Sequence, residues 1–276
     1  MSRHPLTEMA CRLAAAKRGE ATAVGFFLVT AEPMLAELFG VAGADFLVLD
    51  MEAAPIGKRD VMHCLQALTG SACTAVVRVP WLQHHLIEHA LDAGAHAVLV
   101  PKVDTAAQAQ AAAAACFYPP AGRRGINPVR ASGYFTALPE YLAQANERTT
   151  CLVQIESAAA VAVADEIAAV PGVGGLFIGA GDLAAAYGHP GVVIAADMDA
   201  ARERVLAACR RHGKLPGIFA YGLDLGRAYA DEGFRFIAIG NEVKMLKDAT
   251  VDALAAVRAA VPVEPAARTA AAFTMQ

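Results

Sequence analysis

The chain has 276 residues, 56% of them hydrophobic and 18% charged, and a formal net charge of −4. That length suits one barrel-sized domain or two smaller ones, and the apolar content excludes a disordered chain. The slightly acidic balance, with no basic block, argues against a duplex nucleic-acid binder, which needs a positive footprint.

Residues 1–20 carry Arg3, Glu8, Arg12, Lys17 and Arg18 among apolar positions. No uninterrupted apolar segment of a secretory signal occurs there. No apolar run reaches about 18 residues without a charge or turn residue, so no membrane span is expected. Six cysteines, Cys11, Cys64, Cys73, Cys116, Cys151 and Cys209, are scattered without a C-x-x-C pair. They read as thiols of a reducing compartment, and a cytoplasmic protein is expected.

Pro5 to Lys17 reads as an amphipathic lead-in helix. Short apolar strands then alternate with helical patterns. Strands are predicted over Ala23–Val29, Phe46–Leu49, Thr74–Arg78, Ala97–Val100, Cys151–Ile155, Leu176–Ile178, Leu215–Phe219 and Phe236–Ile239. Helices are predicted over Met34–Val41, Arg59–Ala67, Leu86–Leu91, Ala106–Ala115, Ala158–Ala169, Ala200–His212 and Leu225–Glu232, with a closing helix from Val243 to Ala260. Strands that are apolar throughout fit a parallel sheet covered on both faces. Eight such units in about 240 residues predict an α/β fold, the (β/α)8 TIM barrel. A doubly wound open sheet is the alternative, but no G-x-G-x-x-G turn follows the first strand. The barrel is expected over residues 1–260. The Ala-rich tail, 261–276, with Pro262 and Pro265, is expected to be mobile or docked on a partner.

One connection is too long for a plain turn. From Phe117 it runs through Tyr118-Pro119-Pro120-Ala121-Gly122-Arg123-Arg124-Gly125 to a strand starting only near Thr150. Long ordered loops are usually functional, so this one is expected either to cover the site or to mediate subunit contact.

In a barrel the C-terminal strand ends converge on one face. Here those ends supply Phe27, Asp50 and Glu52, Arg78, Lys102, Gln154 and Glu156, Asp182, Phe219 and Asn241. Glu156 and Asp182, at the ends of neighbouring strands, suit a hard divalent cation that keeps water sites for a substrate. The same acids also suit plain caps of the following helices. Arg78 is a fixed positive charge able to stabilise an oxyanion, and the N–H groups around Gly179 and Gly181 suit a carboxylate. Together they describe a 2-oxo acid site: cation on the oxo oxygen, N–H groups on the carboxylate, arginine on the developing enolate. A competing motif, His85-Leu86-Ile87-Glu88-His89, has the H-x-x-E-H spacing of inverted zinc peptidases. It sits on a helix whose apolar residues face a core and has no placed third ligand, so a structural role is expected.

The chain resembles the metal-dependent (class II) pyruvate aldolases of the hydroxyheptenedioate aldolase and citrate lyase β-subunit superfamily, which includes the 2-keto-3-deoxy sugar-acid aldolases. The matching stretches run in family order: FLVLDMEAAP from Phe46, VVRVP from Val76, LDAGAHAVLVPKV from Leu91, YPPAGRRG from Tyr118, LVQIES from Leu152, LFIGAGDL from Leu176 and GFRFIAIG from Gly233. The resemblance implies a hexameric barrel, a trimer of dimers, whose last helix is exchanged with a neighbour. It implies Mg²⁺, Mn²⁺ or Co²⁺ on Glu156 and Asp182, Arg78 on the enolate oxygen, the N–H groups of Gly181 and Asp182 on the pyruvate carboxylate, and Gln154 behind the metal. It also implies cleavage of a 4-hydroxy-2-oxo acid to pyruvate and an aldehyde.

One departure matters. The family reads D-x-E-H after the second strand, and that histidine helps move the aldol proton. Here the stretch is Asp50-Met51-Glu52-Ala53, while Asp92, matching the acid that pairs with the histidine, is kept. Alanine transfers no proton. Glu52 and Asp50 remain near as catalytic candidates, and Phe219 as a substrate-facing strand end. The alternatives are an oxaloacetate decarboxylase, which needs no such base, a CoA-thioester lyase leaning on Arg123 and Arg124, and a non-catalytic barrel that binds an oxo acid.

Overall fold

The computed structural model describes residues 15–260; most of the lead-in helix, Cys11 and the tail beyond Ala260 lie outside these. Eight strands form a closed parallel barrel in sequential order. They are β1 (Ala23–Leu28), β2 (Phe46–Asp50), β3 (Thr74–Arg78), β4 (Ala97–Val100), β5 (Thr150–Ile155), β6 (Val173–Ile178), β7 (Leu215–Phe219) and β8 (Phe236–Asn241). The helices are α1 (Pro33–Val41), α2 (Lys58–Ala67), α3 (His84–Asp92), α4 (Ala106–Cys116), α5 (Leu138–Arg148), α6 (Ala158–Ala162), α7 (Ala164–Ala169), α8 (Ala180–Ala186), α9 (Ala196–His212), α10 (Leu223–Glu232) and α11 (Glu242–Ala260). The (β/α)8 architecture expected from the strand count is the one observed. Three helix predictions differ. The Ala158–Ala169 run breaks at Val163, whose backbone leaves the helical region (φ −113°, ψ 20°). Helix α5 was not expected, because it is polar and buries only Ala145. Helix α8 has seven residues and follows its strand after one glycine, so it reads as loop.

The strands are apolar because both faces are covered. Successive side chains point alternately in and out. On β2, Leu47 and Leu49 join the layer under the helices, whereas Phe46 and Val48 fill the barrel interior. Val76, Ala97, Leu99, Leu152, Phe177, Leu215 and Phe236 complete that interior. Phe46 stacks on Phe236 with ring centroids 3.8 Å apart. Gly217 leaves room for the Phe177 ring, which would lie 2.7 Å from any Cβ there. The alternation also sets the site. One inward step beyond Val48, Val76 and Leu152 come Asp50, Arg78 and Gln154, all buried at the strand-end mouth. Burying each large interior side chain stabilises the barrel by about 1.5–3 kcal/mol.

The chain divides into two compact units, 1–242 and 243–276. In the second, the described residues 243–260 are helical. Val243, Leu246, Leu254 and Val257 are exposed there, while Lys244 and Lys247 pair with Asp248. No helix among the described residues is long and apolar enough to cross a membrane.

Candidate active site

The β2–β3 register places Asp50 opposite Arg78. Asp50 is buried and takes the arginine fork through both oxygens, Nε to Oδ1 at 2.8 Å and Nη2 to Oδ2 at 2.6 Å. Oδ1 also accepts the N–H groups of Glu52 (3.0 Å) and Ala53 (3.3 Å), so the turn after β2 is folded around the same carboxylate. Bidentate pairs of this kind fix the guanidinium plane as well as its charge. Arg78 Nη1 reaches Glu52 Oε2 at 2.8 Å, and its guanidinium carbon lies 5.0 Å from the Phe27 ring centroid. Burial alone would lower the arginine pKa, but the hydrogen bonds to Asp50 and the charges of Asp50, Glu52 and Glu156 raise it.

Glu156 follows β5 and is 5% exposed. Its Oε2 accepts from Gln154 Nε2 at 2.7 Å and its Oε1 from the Lys102 backbone N–H at 2.7 Å. Lys102 reaches that position in the left-handed region (φ 54°), a conformation costly for a non-glycine residue and kept where the surroundings enforce it. Lys102 Nζ lies 3.3 Å from Glu52 Oε1 and over the Trp81 ring. Burial, then the neighbouring charge of Glu52, lift the Glu156 pKa to about 7; the Lys102 N–H opposes this and the Asp182 charge adds to it. Gln154 Oε1 is buried without a hydrogen-bond partner. Asp182 lies in the first turn of α8, whose leading N–H groups have no acceptor within the helix.

Asp50, Arg78, Gln154 and Asp182 line a cavity of about 240 Å³ together with Phe27, Ala53 and Tyr221, among others. Its aromatic wall runs from Phe27 to Phe219 (5.3 Å between centroids) to Tyr221 (4.9 Å). Tyr221 was not read from the sequence. The signal was present, since Tyr221 stands two residues beyond Phe219 and so keeps the inward parity of β7 past its end.

Asp92 is not brought to this cavity. It ends α3, which runs back from the mouth, so it lies near the strand starts. There Arg124 Nη2 meets Asp92 Oδ1 at 2.6 Å and Tyr141 Oη at 3.0 Å, above the Tyr118 ring. Burial raises the Asp92 pKa, and the Arg124 pairing offsets this only in part. The long connection belongs to the same end. It follows a helix rather than a strand, and Arg130 ties it to Ala93 O (2.6 Å), Leu65 O (3.0 Å) and Thr69 Oγ1 (2.8 Å). Within the chain it therefore packs under the barrel and does not cover the cavity. The side chain of Arg124 is fully buried, which withdraws it from any basic groove for a CoA group. The H-x-x-E-H stretch does not converge either. Glu88 instead pairs with His84 at 2.9 Å and accepts the Gly125 N–H, while burial lowers the His89 pKa.

Known proteins place this geometry. Residues 23–249 match the HpcH/HpaI aldolase/citrate lyase family. A 5-keto-4-deoxy-D-glucarate aldolase of Klebsiella pneumoniae is 40% identical over 227 residues, 82% of this chain and 89% of that one. A 2-dehydro-3,6-dideoxy-6-sulfogluconate aldolase of Pseudomonas putida is 37% identical over 235 residues, 85% of this chain and 92% of that one. The crystal structure of an HpcH/HpaI aldolase/citrate lyase family protein from Burkholderia cenocepacia superposes with a TM-score of 0.85 at 37% identity, covering 89% of this chain and 98% of that one. The chain belongs to the HpcH/HpaI aldolase/citrate lyase family, and it is a lyase of the aldolase type.

Proposed function

We propose that the protein cleaves a 4-hydroxy-2-oxo acid of the sugar-acid type to pyruvate and an aldehyde with the help of a divalent cation. The observation that carries this reading is the meeting of Glu156 and Asp182 with an Asp50-clamped Arg78 at one strand-end mouth. The donor set suits Mg²⁺, Mn²⁺ or Co²⁺. Glu156 is buried among like charges that a cation would relieve, and Gln154 donates to it while leaving its own oxygen unpaired. Among the described residues no group of three or more His, Cys, Asp or Glu stands at ligand spacing. Two carboxylates with water and substrate oxygens is the arrangement Mg²⁺ favours.

Glu156 and Asp182 would hold the cation, which supplies Lewis-acid polarisation of the 2-oxo group. The chain's own residues do the rest. Arg78 stabilises the oxygen on which enolate charge builds. Asp50, with both oxygens engaged, positions Arg78 rather than carrying a proton. Glu52 bridges Arg78 and Lys102 beside that oxygen. The N–H groups of Gly181 and Asp182 receive the carboxylate, and Phe27 and Phe219 exclude water from one side. Ala53 supplies no base, which favours oxaloacetate decarboxylation as a second reaction, since that step forms the same enolate without removing a hydroxyl proton. Exposed Val243, Leu246, Leu254 and Val257 on one helix support exchange of that helix in a hexamer. The free buried thiols of Cys64, Cys73, Cys116, Cys151 and Cys209 support a cytoplasmic setting.

The test is turnover of a panel of 4-hydroxy-2-oxo acids and of oxaloacetate, with Mg²⁺ or Mn²⁺ and with excess chelator. Pyruvate release that depends on the cation is expected; full activity in chelator would overturn the proposal. The raised pKa of Glu156 adds a second expectation. A ligand carboxyl must lose its proton to bind a cation, so with a pKa of about 7 the apparent Mn²⁺ affinity should fall about tenfold from pH 8 to pH 6. Calorimetric titrations across that range check this, and a flat profile would mean that Glu156 is not a ligand.

A further inference from the structure

Tyr221 lies just past β7 and lines the same cavity as Ala53, Arg78 and Asp182. Its hydroxyl packs against Gly181, where any Cβ would collide with it. A phenol therefore occupies the space that a side chain at position 181 would take. Of the three rings on the aromatic wall, only this one carries a hydrogen-bonding group. Among the other polar side chains of the cavity, the Gln154 amide already donates to Glu156. Asp50 and Asp182 are acceptors, and Arg78 spends three of its five N–H groups on Asp50 and Glu52, the others being kept in the reading above for the enolate oxygen. Burial, then the Asp182 charge, raise the Tyr221 pKa, and Arg78 offsets this only in part, so at neutral pH the group is a donor and not a phenolate.

We propose that Tyr221 Oη donates a hydrogen bond to the carboxylate of the bound 2-oxo acid and so selects acids over their neutral analogues. This rests on the 2-oxo acid reading above and deepens it. No proton is transferred in the role. The phenol keeps its hydrogen and loses only a water partner to the ligand. The geometry supports it because an anion seated beside Gly181 meets this hydroxyl, in a cavity whose other side-chain donors are Arg78, Gln154 and Asn241.

The test uses full-length, Mn²⁺-loaded protein and the Tyr221→Phe variant, which removes one oxygen and keeps the ring against Phe219. Calorimetry compares pyruvate with pyruvamide, which has the same size and no carboxylate charge. A hydrogen bond to a charged group is worth about a tenfold or larger change in affinity. Pyruvate should bind Tyr221→Phe about tenfold more weakly, pyruvamide about equally to both proteins, and KM should rise with kcat nearly unchanged. Equal losses for both ligands would assign Tyr221 a packing role, and no loss for either would remove it from the binding site; both results overturn the proposal. If the unmodified protein binds neither ligand, the 2-oxo acid reading itself falls, and this one with it.

Discussion

Arg78→Ala is expected to lower kcat by about 10²–10³ while changing KM far less. A group that meets charge developing only in the transition state contributes to turnover rather than to ground-state binding. Arg78 has the structure such a role needs. It is 9% exposed, held in plane by the two hydrogen bonds it donates to Asp50, and faced by Glu52 and Glu156. Removing it leaves those carboxylates without their cation, and breaking a buried pair costs about 3–5 kcal/mol. A melting curve must therefore accompany the kinetics. Arg78→Lys guards against simple unfolding, because it keeps the charge and loses the fork. It should stay folded and fall between the two in turnover. A rise in KM alone, with kcat intact, would make Arg78 a substrate anchor.

Much of this site was legible because a strand's period is two. Asp50, Arg78 and Gln154 each end an apolar run at the inward parity, so a list of strand ends names them without a structure. What that list does not contain is the bond between them. Asp50 looks like a free acid until the β2–β3 register puts it opposite Arg78 and both its oxygens are used. Lys102 likewise reads as a side chain at a strand end, whereas its backbone N–H, aimed by a left-handed turn, is what contacts Glu156.

Asp92 and the Arg123-Arg124 stretch lie away from the mouth within this chain for a different reason. Barrel helices run antiparallel to the strands, so what ends a helix lies at the opposite end from what ends a strand. Asp92 ends α3, and the long connection follows α4. Direction, not composition, decides their position, and within the chain it puts the Asp92–Arg124 pair toward the end of the barrel opposite Ala53. A histidine restored at position 53 would find no orienting carboxylate within the same chain at Asp92. Tyr221 escaped because the apolar run stops at Phe219, although the inward alternation continues past it.

Glu156→Gln is expected to abolish turnover and to weaken Mn²⁺ binding at least 100-fold, beyond the roughly 10–100-fold typical of losing a partner that only orients a ligand. The substitution keeps the volume and removes the charge. Its amide must also face two donors, Gln154 Nε2 and the Lys102 N–H, with only one accepting oxygen. Stability in chelator should respond in a way that separates charge from packing. The Glu156 pKa is about 7 in the folded protein, against an ordinary value of 4.5. A raised folded-state pKa gives stability that is fully present below the unfolded value and is lost as pH rises through the folded one. Between about pH 4.5 and pH 7 this single group should therefore remove about 3 kcal/mol from the metal-free protein, because the fold then holds a buried charge beside Glu52 and Asp182. Glutamine has no proton to lose, so the difference between the two proteins in urea unfolding should shift by that amount across the same window, whatever constant penalty the mismatched amide imposes. Undiminished Mn²⁺ binding, or a difference that stays constant with pH, would mean that the buried charge at the mouth of the barrel is not Glu156.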